Sequence, residues 1–494
     1  MEEEKIVYKL VKQPLSSEIK EQKEKNRHNL LMAILCLSFL ALGLLLGVAI
    51  TKINMIGAGG DDAEFAKWQN LKAYMNNVWL YGEEYENLDE TLNDQAFYGM
   101  MSFEDDPYTT YMSKEDYLAF SQSINMNFVG IGINFQVRDG VATVLRVLKN
   151  SPAEKAGLLA GDIIRKIDNK DIKGMTTDEI KELALGEEGS LVEVGVERNG
   201  EFKNIGVIRS SIDNTAYAYA EGDTVILEIH SFGDSTYNEC VEYLEEFKDY
   251  QKIIIDLRNN GGGFQTAVQD VATLFLGEDV LVMTQEFKDG HKEAYYTSGS
   301  AYYPNFKKVA VLTNENTASA AEVLAIAIKQ QHSDATLIGT TTFGKGVVQS
   351  SYILPDQSVI KLTTSKWLAP DGDWYNEVGI KPDIEVFLDD ILYEHYSMME
   401  EDDSYSLDSV SIYNAFASKA LAFLGYDVER FDGYFDDNLF ANLKAFQSAK
   451  NLEDNGVLDY STYNSLLSSV FYEWSSNPLK DLQMVEAKSF LKGQ

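Results

Sequence analysis

The chain has 494 residues, enough for about three folded units. It carries 42 Lys+Arg against 78 Asp+Glu, a formal net charge of −36, which excludes a general nucleic-acid binder because that function needs basic charge to neutralise phosphates. A hydrophobic content of 45% supports sizeable cores and excludes whole-chain disorder; two Cys and five His exclude a disulfide framework and leave few ligands for a metal, so no metal and no other cofactor is expected.

Residues 30–50 (LLMAILCLSFLALGLLLGVAI) are 21 uncharged, mostly apolar positions. As a helix they reach roughly 31 Å, the thickness of a hydrocarbon core of about 30 Å. Lys20, Lys23, Lys25, Arg27 and His28 precede the run and only Lys52 follows closely. The basic flank predicts a cytoplasmic tail at 1–29 and a single-pass transmembrane anchor at 30–50, with the rest of the chain extracytoplasmic at the cell membrane. A cleaved signal peptide and a buried core helix are the alternatives; the first lacks a clear small-x-small cleavage site and the second lacks a polar face. Residues 53–60 read as an exit linker.

From 62 to 122, apolar residues at Phe65, Trp68, Leu71, Met75 and Val78 recur at three- and four-residue steps and predict helix. Between 125 and 210, short β-branched runs (VATVLRV, DIIRKI, LVEVGVER) alternate with Gly-bearing turns, and two short helices fit at PAEKAG and TTDEIKELAL. From 211 to 390, the strands VILEI, KIIIDL, VAVLT and TLIGT alternate with helical stretches, an α/β pattern. Residues 398–408 are acidic and read as a linker. Residues 410–471 are helical again. The fold class is therefore α/β and multidomain.

Gly130-Ile131-Gly132-Ile133 opens a strand, and its two glycines let consecutive N–H groups converge on one spot, a nest suited to a carboxylate. Asn150-Ser151-Pro152-Ala153-Glu154-Lys155-Ala156-Gly157-Leu158, then Gly161-Asp162-Ile163-Ile164, follow. Residues 125–210 resemble a PDZ domain of the bacterial protease type. The resemblance implies that residues 130–133 hold the C-terminal carboxylate of a peptide; a PDZ fold that has lost its ligand is the alternative. Where related proteases often carry a basic residue before the Gly of a late turn, this chain has Leu185 before Gly186.

No His has a supporting motif; His230, in EIHSFG, ends a strand and reads as structural. A lysine base fits better. Ser319 follows the strand VAVLT and opens an apolar helix, whose first N–H groups favour developing negative charge, and Ala318, Ala320 and Ala321 let a substrate backbone come close. Lys345, 26 residues later, sits in FGKGVV, where burial of a neutral amine is possible. Gln349 lies four residues on, on the same side of an extended segment, placed to accept from that amine.

Together with Asp105-Asp106-Pro107-Tyr108, Asp256 through Gly263, Asn316 through Glu322, Gly339 through Gln349 and Gly379 through Ile384, these segments resemble the carboxy-terminal processing peptidases, tail-specific serine endopeptidases of the Ser/Lys/Gln type. The resemblance covers residues 62–390. It implies a crotonase-like α/β protease core in which Ser319 is nucleophile, Lys345 general base and acid, and Gln349 the orienting group, with the N–H groups of Gly262 and Ala320 forming the oxyanion hole. Gly261 stands where the family often has Pro.

Ala420 through Tyr426, Phe431 through Phe435, Leu443 through Gln447 and Asn455 through Asp459 resemble a peptidoglycan-binding domain. A packing or dimerisation module is the alternative. The expected partners are thus protein or peptide tails, cell-wall peptidoglycan and the membrane, with homodimerisation a family-level expectation. A non-catalytic PDZ scaffold tethered to membrane and wall is the rival function; acyl-CoA chemistry on a crotonase-like core is more distant, because no nucleotide site is recognisable.

Overall fold

The computed structural model describes residues 62–138, 140–212, 214–394 and 399–493. The expected cytoplasmic tail, anchor and exit linker lie outside the described residues, and among these no helix is long and apolar enough to cross a membrane. Two units are distinguished, with the boundary after Phe97. In the first, the predicted helix forms at Asp62–Asn77, and Lys72 pairs with Asp89 at 3.0 Å. Phe65, Leu71 and Val78, three members of the predicted apolar stripe, are solvent-exposed there.

The second unit, from Tyr98 on, contains three parts. Strands Ile133–Arg138, Val141–Val147, Ile163–Ile167, Leu191–Arg198 and Glu201–Ile208 pair antiparallel in that order. The alternation of LVEVGVER puts Val192, Val194 and Val196 on one face, where they pack with Val144, Ile164 and Ile180. Ile180 comes from the helix Thr177–Ala184, which begins with a reciprocal capping box: Thr176 Oγ1 accepts from Glu179 N, and the Glu179 carboxylate accepts from Thr176 N at 2.7 Å. Ile133–Arg138 is an edge strand of this sheet.

The α/β part is built on Ala216–Glu221, Thr224–Ile229, Lys252–Asp256, Lys308–Thr313, Ala335–Gly339 and Ile384–Glu385. The first pair is an antiparallel hairpin and the remaining pairings are parallel. Period-two geometry divides the continuous apolar strands between two faces. Ile253, Ile255, Val309 and Val311 meet the helices Thr236–Glu246, Gln265–Leu276 and Ala320–Gln331. Ile226, Ile254, Ala310, Leu312 and Ile338 meet Met484, Ala487 and Leu491 of the helix Leu482–Lys492. That last helix, to which the sequence reading assigned nothing, completes the core from beyond the expected 211–390 boundary.

A second, antiparallel sheet runs Thr110–Met112, Val359–Leu368, Leu281–Phe287, Lys292–Tyr296, and Val347–Ile353 also pairs with Val359–Leu368. Thr110–Met112 lies inside the stretch read as helical; the Asp106 carboxylate accepts from Tyr108 N and Thr109 N and turns the chain into that strand.

The C-terminal helices Ile412–Phe423, Asp437–Ala449 and Tyr460–Ser476 enclose Phe416, Leu421, Phe435, Leu443 and Leu466. Val141 and Ile163 of the first sheet belong to the same core, so this helical part is docked on it. The acidic stretch read as a linker is built in as well: Met399 is buried and Ser404–Tyr405 pairs with Leu458–Asp459. Two apolar side chains, Met399 and Tyr405, packed against that core outweigh the acidic neighbours that keep their charges in solvent.

Candidate active site

Two loops at the ends of parallel strands are tied together first. Thr317 Oγ1 donates to Leu257 O at 2.9 Å, Asn314 Oδ1 accepts from Asn259 N at 2.9 Å, and Asn316 Nδ2 donates to Asn259 Oδ1 at 3.0 Å. These bonds fix Asn314–Ala318 against Asn259–Gly263. Ser319 then opens the helix Ala320–Gln331 with φ 56° and ψ −120°, a conformation costly for a residue with a side chain and sustained by its surroundings.

Glu322 is the main support. It is fully buried, and its carboxylate accepts from Ser319 N at 2.8 Å, Gly344 N at 2.7 Å, Lys345 N at 2.9 Å and Thr342 Oγ1 at 2.5 Å. One side chain thereby holds the backbones of both candidate catalytic residues. The sequence reading gave Glu322 no role, although the Ser-x-x-Glu spacing of a capping box was visible.

Lys345 Nζ lies over the Tyr108 ring, 4.5 Å from its centroid. Burial, reinforced by the charge of Lys361 and opposed by that of Glu322, brings its pKa down to about 8. Gln349 stands on Val347–Ile353, just after an irregularity at Val348 that interrupts simple alternation. Its Nε2 donates to Thr363 Oγ1 at 3.3 Å, and Thr363 donates in turn to Asp106 Oδ1 at 2.9 Å. Gln349 is thus oriented by a polar chain.

Ser319, Ala320, Lys345, Gln349 and Gly262 all line one cleft of about 540 Å³, with Val268, Met283, Val323 and Trp367 among its apolar walls. Among the described residues no hydrogen bond joins Ser319 Oγ to Lys345 Nζ, or Lys345 to Gln349; the three groups share the cleft. Ala320 N–H, at the first helical position, has no intrahelical acceptor. Gly262 has φ 107°. Its N–H donates to the buried Asn260 Oδ1 at 2.8 Å, because the left-handed turn at Asn259 and Gly262 folds the amide onto that side chain. Among the described residues the next amide, Gly263 N–H, has no acceptor.

His230 also borders the cleft, but burial and the nearby Arg146 hold its pKa down at about 3, so it is neutral and accepts at Nδ1 from Arg146 Nη1 at 3.0 Å. This agrees with its structural reading.

Gly130, Ile131, Gly132 and Ile133 do not line the catalytic cleft. The Ile131 side chain is in the core of the first sheet, and Gly132 has φ 80° with Ser151 Cβ only 2.4 Å from where a Cβ would stand, so only glycine fits. The N–H groups of Ile131 and Gly132 find no acceptor among the described residues. Leu185 packs beside Gly130, while Arg209, the basic group nearest Gly186, donates to Ala184 O and Leu183 O and closes the helix end. Phe128 and Lys181 of this β-unit do reach the catalytic cleft.

Residues 223–386 match the model of peptidase family S41. The chain is 34% identical over 409 residues to the carboxy-terminal processing protease CtpA of Bacillus subtilis, covering 82% of this chain and 86% of that relative. This chain belongs to peptidase family S41. Within the family it is also 33% identical over 374 residues to a CtpA-like serine protease of Staphylococcus haemolyticus, covering 75% of each chain. Residues 129–208 match the PDZ domain and 416–466 the peptidoglycan binding domain, so this S41 peptidase carries both modules. A solved structure, the photosystem II D1 C-terminal processing protease, is 25% identical and covers 63% of this chain and 88% of its own, with a TM-score of 0.44.

Proposed function

We propose that this S41 peptidase cleaves proteins by an acyl-enzyme cycle in which Ser319 is the nucleophile and Lys345 the base. Neutral Lys345 takes the Ser319 proton as the hydroxyl attacks a peptide carbonyl. Ala320 N–H and a glycine amide of the 261–263 loop hold the oxyanion, and Gln349 directs the amine. Lys345 then protonates the leaving amine, and the ester is hydrolysed by a water that Lys345 deprotonates. The observation carrying this reading is a half-buried lysine of lowered pKa in one cleft with a serine strained at a helix start.

The PDZ domain captures the substrate's C-terminal tail: the unpaired amides at 131–132 take the carboxylate and the free edge of Ile133–Arg138 pairs with the extended peptide. The helical C-terminal domain contacts cell-wall peptidoglycan, and the apolar run at 30–50 anchors the enzyme in the membrane with its catalytic part outside. The test is turnover of a protein with an unstructured C-terminal tail. Ser319→Ala and Lys345→Ala are expected to lose cleavage with unchanged circular dichroism and melting; normal turnover by either overturns the assignment.

A further inference from the structure

The catalytic cleft holds a second half-buried cation that the mechanism above leaves unused. Lys361 lines the same cleft as Ser319 and Lys345. It stands on Val359–Leu368, paired with Ser351 on one side and Thr110 on the other. Thr363, two residues on and so on the same face, is the residue that orients Gln349. The two ammonium groups are set alike: Lys345 Nζ lies 4.5 Å from the Tyr108 ring centroid, and Lys361 Nζ lies 4.6 Å from that of Phe120. No acidic side chain pairs with either at ion-pair distance among the described residues.

The other charged and titratable groups around Lys345 are accounted for. Glu322, from the helix beneath, opposes deprotonation, but its carboxylate is committed to three backbone N–H groups and Thr342. Tyr108 is a neutral phenol whose pKa is raised by burial and by Glu322, Glu377 and Asp106. Asp106 is bound by Thr109 and Thr363, and His230 is neutral. Lys181 reaches the cleft from the PDZ helix. That leaves Lys361 as the cation whose charge bears on Lys345, and it is itself held below the ordinary lysine range by burial.

We propose that Lys361 is a positioning residue that acts through Lys345: its charge, confined to the same low-dielectric cleft, makes a second ammonium there unfavourable and keeps the base unprotonated. Lys345, the more deeply desolvated of the two, is the one that yields its proton. The inference rests on Lys345 being the base.

The experiment is the pH dependence of kcat/KM for wild type, Lys361→Met, Lys361→Gln and Lys361→Arg, with a tailed protein substrate and melting curves for each. Wild type is expected to show an acid limb near the Lys345 pKa of about 8. The Met and Gln variants are expected to move that limb up by ~0.5–1 pH unit, and Arg to leave it in place. A wild-type profile without such a limb defeats the base assignment itself. A wild-type limb that stays fixed in the folded Met and Gln variants, whatever happens to kcat or KM, overturns the role of Lys361 alone.

Discussion

Ser319 and Lys345 are linked through the backbone rather than through their reactive atoms. Glu322 holds both main chains, and a carboxylate suits this because every group it faces is a donor. Glu322→Gln turns an amide NH₂ toward those donors, and burying such a mismatch costs about 1–3 kcal/mol. The variant is expected to melt earlier and to lose at least tenfold in kcat. It also removes the negative charge that raises the Lys345 pKa, so its residual activity should reach further into acid than wild type, the opposite of the Lys361 variants. A limb that moves upward in Glu322→Gln would contradict this electrostatic picture. The pH dependence of the wild type has the same sign logic. Lys345 works neutral, its pKa is about 8, and activity should therefore rise as pH climbs through that value and fall in acid; a rate flat down to pH 6 would argue against an amine base.

At the scale of elements, the loop Thr341–Gly346 is positioned by a neighbouring turn. A Cβ on Gly379, which has φ 73°, would lie 2.1 Å from Thr342 O, a backbone atom with nowhere to go. Gly379→Ala should therefore displace the lysine loop and cost more than about 1 kcal/mol in denaturant unfolding, with kcat falling further than stability alone explains. Such close approaches mark what one-dimensional reading misses. The strands VATVLRV and LVEVGVER and the helix after Ser319 were legible because local periodicity sufficed. Ser319, Ala320, Lys345, Gln349 and Gly262 line one cleft. The engagement of Gly262 N–H by Asn260 was not legible, because it depends on a left-handed turn. Nor was Thr110–Met112, a three-residue strand whose identity comes entirely from its partner Val359–Leu368. The helix Leu482–Lys492 did carry three- and four-residue steps in Met484, Ala487 and Leu491; what the sequence withheld was the sheet face they cover. Leu491→Ala should cost about 2–4 kcal/mol, read as a lowered denaturation midpoint with unchanged cleavage specificity.

Across the second unit, one buried carboxylate joins three segments. Asp256, at the end of a central strand, pairs with Arg258 at 2.7 Å and with Arg146 of the PDZ domain at 3.5 Å. Arg258 also reaches Asp481 at 2.8 Å, the residue that caps the last helix. Burial pushes the Asp256 pKa up, but the two arginines outweigh it and bring it to about 2. A carboxylate depressed on folding stabilises the native state above its unfolded pKa, near 4, and that contribution drains away as pH falls from 4 towards 2. Because Arg146 and Arg258 serve different neighbours, their loss should be separable. Arg146→Ala is expected to speed amide hydrogen exchange in residues 128–212 while sparing 482–492. Arg258→Ala leaves Asp256 and Asp481 without their shared partner and should cost about 3–5 kcal/mol, with exchange rising first in the last helix. Identical exchange patterns in the two variants would mean that the PDZ domain and the final helix are held by their apolar contacts alone.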